Sequence, residues 1–131
     1  MSDHLVESYD KQLELINSNL VKMGGLVEQQ VKDSLKALDD KDTEFAEEIL
    51  KKDDKIDNLE KEIYALAYKI IAMRQPMAND LRTVVSALSI ANDLERMGDH
   101  ATNVAKRVAN VKVSVPSLSL IHISEPTRRR T

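Results

Sequence analysis

Five acidic side chains stand where a packed helix ordinarily carries apolar ones. A row at three- and four-residue spacing reads Ala46, Leu50, Asp53, Asp57, Glu60, Tyr64, Ala67, Ile71, which places all eight on one strip of a helix. Only the middle of that strip is acidic. A second row, Leu81, Val85, Leu88, Asn92, Glu95, Asp99, Thr102, Lys106, also turns polar halfway along an apolar stripe. Carboxylates gathered at one height repel unless protonated, hydrated or bound to a cation. Asp53, Asp57, Glu60, Glu95 and Asp99 are therefore candidate metal ligands. Such an all-oxygen shell favours Mg2+, Mn2+, Ca2+ or iron over a structural zinc. The competing reading is a solvated rim, with Lys52, Lys55 and Lys61 available to pair with the acids.

Other chemistry is poorly supported. His100 follows Asp99 but points about 100° around a helix from it, so a rim position is expected. The di-iron signature Glu-x-x-His is missing, because Gly98 stands three residues after Glu95. There is no Cys, no Gly-rich phosphate loop and no Ser/His/Asp arrangement. The expectation is a protein that is not an enzyme, with a carboxylate-bridged di-metal helical-bundle enzyme as the alternative. Gly24-Gly25 interrupts a helical pattern, either to make room for a hydrated ion or as a kink or close helix contact.

The elements that must position these acids are long helices. The 131 residues are 42% hydrophobic, 3% aromatic and 31% charged, with three Gly and three Pro, a profile of packed helices and not of a sandwich or barrel. A first apolar seam runs Tyr9, Leu13, Ile16, Leu20, Met23, Val27, then relaxes through Val31, Leu35 and Leu38. Asp42 is a plausible N-cap for the second helix. That helix has a stricter seam of Phe45, Ile49, Lys52, Ile56, Leu59, Ile63, Leu66, Ile70 and Met73. Gln75-Pro76 ends it, and a third helix is expected from about Ala78 to Ala109. The reading is all-α, an elongated antiparallel three-helix bundle over residues 1–111. Residues 112–131 carry a net charge of +3 and leave −6 on the body. They follow no helical period, are expected to be an irregular tail, and from Leu118 resemble translated sequencing adapter, so no function is assigned to them. An acidic body poor in aromatics disfavours nucleic acid, and no run suits membrane insertion. Apolar residues left over on the third helix predict self-association into a homo-oligomer.

Folding the second and third helices about Pro76 makes the acids meet. Asp57 and Glu95 each lie 19 residues from it, Asp53 and Asp99 each 23, and Glu60 and Asn92 each 16. Equal separation from a hairpin turn means equal height.

Three separated motifs resemble one family. Lys52 to Glu60 followed by Glu62-Ile63 is similar to the second helix of the PhoU family of phosphate-uptake regulators. Gln75 to Arg82 looks like that family's turn into its third helix. Ile90 to Asn103 resembles its metal motif, an acid, three residues, then Asp. The resemblance implies one of two tandem three-helix repeats, with Asp53 and Asp57, and Glu95 and Asp99, at the family's metal-binding positions. It further implies multinuclear iron, zinc or another divalent metal, a cytoplasmic location, and negative regulation of phosphate transport. The implied partners are the ATPase of a phosphate ABC transporter and a sensor histidine kinase.

Overall fold

A computed structural model describes the backbone of residues 2–124 and the side chains of residues 8–111. It is three helices: α1 (Ser2–Asp40), α2 (Thr43–Arg74) and α3 (Ala78–Ser124). Each packs against both others, and the two short turns make the topology up-down-up. The Asp42 carboxylate accepts from the Phe45 N–H at 3.0 Å, capping α2 as its sequence predicts. At each turn one non-glycine residue takes a left-handed conformation, Lys41 with φ 55° and Gln75 with φ 45°. Among the described residues no helix is long and apolar enough to cross a membrane.

The expected α2 seam forms the core spine, with Ile49, Ile56, Ile63 and Ile70 buried and Lys52 exposed. Met73, at its end, is exposed. On α1 the burial departs from the expected path. After Met23 and Val27 the buried positions are Gln30, Ser34 and Ala37, while Leu35 and Leu38 are exposed. The strict alternation of three and four continues along the polar residues, and the apolar ones drift to the flank. Gly24 and Gly25 meet nothing within 4 Å, so no close helix contact requires them. Gly98 is the packed glycine, 3.7 Å from methyl groups of Ile56 and Val27.

α3 also departs from expectation at its far end. It continues to Ser124 through Pro116, where an irregular segment from residue 112 is expected. Residues 125–131 of the expected tail lie outside the described residues.

Candidate functional site

The core is split in two by a polar layer. One apolar cluster, around Ile16, Met23, Val27, Ile56, Ile63 and Val84, fills the half near the α2–α3 turn. A smaller one, of Ala37, Ala46, Ile49, Ala105 and Val108, fills the other end. Between them the Gln30 Nε2 amide reaches Thr102 Oγ1 at 2.6 Å, Asp53 Oδ1 at 3.3 Å and the Gly98 carbonyl at 3.3 Å. The Thr102 hydroxyl has one proton for two acceptors, Asp53 Oδ1 at 3.0 Å and the Gly98 carbonyl at 2.9 Å. Ser34 Oγ donates to the Ala101 carbonyl at 2.9 Å. Buried polar atoms without partners are costly, and here each finds one.

Asp53 thus meets Thr102 and Gln30, not the Asp99 expected at its height. Thr102 lies 26 residues beyond Pro76, whereas Asp53 lies 23 before it. The difference arises at the turn, where Gln75, Pro76 and Met77 are all outside the helices. These unwound residues displace the hairpin's mirror point past Pro76.

Beside this layer, on the groove between α2 and α3, Asp57, Glu60, Glu95 and Asp99 gather. Glu95 is half-buried, and its carboxyl is pushed up from 4.5 to about 8. Desolvation is the largest cause, followed by Asp99 and Asp57, close enough to share its proton, and then by the charge of Glu60. Glu60 is also raised, first by burial, then by Asp57, with the Tyr64 hydroxyl partly offsetting the shift. Lys52, Lys55 and Lys61 make no ion pair with these acids. The strip is therefore under repulsion that one proton on Glu95 relieves. His100 is exposed on the other side of α3, as its angle predicts.

The donor chemistry of this groove, four carboxylates that only the Lys61 charge partly offsets at Glu60, suits a hard divalent ion. Among the described residues, however, no three acidic, histidine or cysteine side chains already converge as a metal shell. A cation would have to draw the acids together. Gln30 and Ser34 were not visible as functional or structural partners from residue type. Their only signal is that they occupy the seam spacing of Met23 and Val27.

A family model described as PhoU domain matches residues 20–108, which take in the second half of α1, all of α2, α3 as far as Val108 and every acid above. The chain is similar to a phosphate-specific transport system accessory protein PhoU homolog of Caulobacter vibrioides. The two are 39% identical over 120 residues, 92% of this chain and 52% of the relative. A homolog of the same name in Clostridium acetobutylicum is 44% identical over 101 residues, 76% of this chain and 46% of the relative. Among solved structures, PhoU from Pseudomonas aeruginosa superposes with a TM-score of 0.75 at 42% identity, covering 79% of this chain and 49% of that one. The chain spans about half the length of the curated relatives it matches.

Proposed function

The chain belongs to the PhoU family, and from that premise we propose that it acts as a regulatory accessory protein of a phosphate transport system. The observation that carries this is identity near 40% to accessory proteins of that system, spread across all three helices. In this reading it works by binding partner proteins in the cytoplasm, a transporter ATPase and a sensor histidine kinase, and lowers phosphate uptake signalling without itself catalysing a reaction. Co-purification of the 131-residue chain with either partner supports the reading. Binding to neither, alongside hydrolysis of a phosphoester that Glu95→Gln abolishes, would favour the di-metal enzyme instead.

The same reading assigns a divalent cation to the α2–α3 groove, held by Asp57, Glu60, Glu95 and Asp99. Asp53 already spends Oδ1 on Thr102 and Gln30, which leaves Oδ2 as the oxygen it can offer. When bound, the ion would supply positive charge beyond what Lys61 lends Glu60. The residues' own part is to crowd four carboxylates at one height and to keep one of them protonated until a cation replaces that proton. Calorimetric titration with Mn2+ or Fe2+ tests this. The expected result is binding with proton release at neutral pH, lost in Glu95→Ala. Unchanged binding by that variant removes Glu95 from the ligand set.

A further inference from the structure

The polar layer at the centre of the bundle places its protons without remainder. Gln30 offers two amide protons and Thr102 one hydroxyl proton. Three acceptors lie within their reach: Thr102 Oγ1, Asp53 Oδ1 and the Gly98 carbonyl. The 2.6 Å contact assigns one amide proton to Thr102 Oγ1. The other two protons fit in two ways. Either Thr102 donates to Asp53 while Gln30 donates to Gly98, or the two donors exchange acceptors. Asp53 Oδ1 receives a hydrogen bond in both arrangements. Gln30 is 5% exposed and Thr102 6%, so neither donor can turn to water instead, and leaving the bond unmade is costly.

Both donors are neutral. They fix the Asp53 carboxylate through one oxygen and leave its charge in place, where a lysine or arginine would cancel it. The same bond sets the height of α2 against α3. Counting in opposite directions from Asp53 and Thr102 brings Asp57 level with Gly98, beside Asp99, and Glu60 level with Glu95. That is the grouping seen in the groove, where Asp57 and Asp99 both lie within hydrogen-bond reach of Glu95.

Building on the assignment of a cation to this groove, we propose that Gln30 and Thr102 are positioning residues for it. They hold Asp53 Oδ1 in the core, so that Oδ2 is the oxygen presented to the ion. Through Gln30, α1 takes part in a site whose carboxylates all stand on α2 and α3. A carboxylate held before the ion arrives spares binding the cost of ordering it. Outer hydrogen-bond partners of metal ligands set affinity in this way, and their loss costs about 10–100-fold.

Calorimetric titration of the 131-residue chain with Mn2+ tests this. Thr102→Val should weaken binding about tenfold or more, and Thr102→Ser, which keeps the hydroxyl, should recover most of the loss. Gln30→Met, of similar length without the amide, should weaken binding in the same direction. Ser34 lies one turn further along α1 and bonds the Ala101 carbonyl, not Asp53. Ser34→Ala removes a buried hydroxyl from the same layer and should leave Kd unchanged, which separates a hold on Asp53 from a general loosening of the bundle. Circular dichroism should report the same helix content in all four variants. A wild type that binds no Mn2+ overturns the cation reading, and the positioning role with it. A wild type that binds, with Thr102→Val or Gln30→Met its equal, overturns the positioning role alone. So does an equal loss of affinity in Ser34→Ala, or a Thr102→Ser no better than Thr102→Val.

Discussion

A carboxyl held up to about 8 beside three other acids keeps its proton across much of the neutral range, and stability must follow that proton. In the unfolded chain Glu95 titrates near 4.5, so between the two values the folded state binds a proton that the unfolded state has released. Folding stability of the chelated protein should therefore fall as pH rises from about 4.5 to about 8. Because Glu95 is only half-buried, solvent screening cuts the effect to about 1 kcal/mol. Urea melts at both ends of that window should show the decline in wild type and a flatter profile in Glu95→Gln. Thr102 poses a different residue-scale question, since its hydroxyl serves both Asp53 and Gln30 in the core. Thr102→Val keeps the shape and removes that shared hydroxyl, leaving Asp53 and Gln30 only their 3.3 Å bond to each other and Gln30 its bond to the Gly98 carbonyl, and should cost about 1 kcal/mol in the same melts. Of the two groups, only the acids were legible as residues, because a carboxylate on an apolar strip is conspicuous. Gln30 and Ser34 were not, because a polar residue at a seam position reads the same whether it faces a partner or the rim.

Among the elements, Gly25 is the clearest candidate for improvement. It lies inside α1, has an ordinary helical backbone, and a methyl group there would meet nothing within 4 Å. Gly25→Ala should therefore stabilise the fold by about 0.5–1 kcal/mol, read as a higher denaturant midpoint with the slope unchanged. The three helices and their short turns were legible because isoleucine at seven-residue intervals on α2 and a capping Asp42 are local signals. The relative height of α2 and α3 was legible only to within about one turn. It depends on where the chain leaves and re-enters helical geometry around Gln75, and one left-handed residue there shifts every facing pair. The path of the α1 seam was misread for a related reason, since hydrophobicity alone follows Leu35 and Leu38 out of the core.

For the molecule as a whole, a bound cation is a ligand of the folded state alone. If the groove holds one, a hundredfold excess over Kd should add ~2.7 kcal/mol to stability, seen as a rise in Tm with Mn2+. Glu95→Ala should melt at or above the wild-type temperature without metal and gain nothing with it. The polar layer has a further consequence, in the order of events during folding. Each hairpin joins neighbours in sequence, but Ser34 bonds Ala101 across 67 residues and Gln30 bonds Thr102 across 72. Closing both turns first spares these bonds the entropy of a long loop, because α1 and α3 share no turn of their own. Contacts completed after the rate-limiting barrier influence escape from the native state and not arrival at it. In stopped-flow measurements, Ser34→Ala should accelerate unfolding while leaving the refolding limb nearly superimposable on wild type. The middle of the bundle then acts as a latch, closed last and governing how long the folded chain survives.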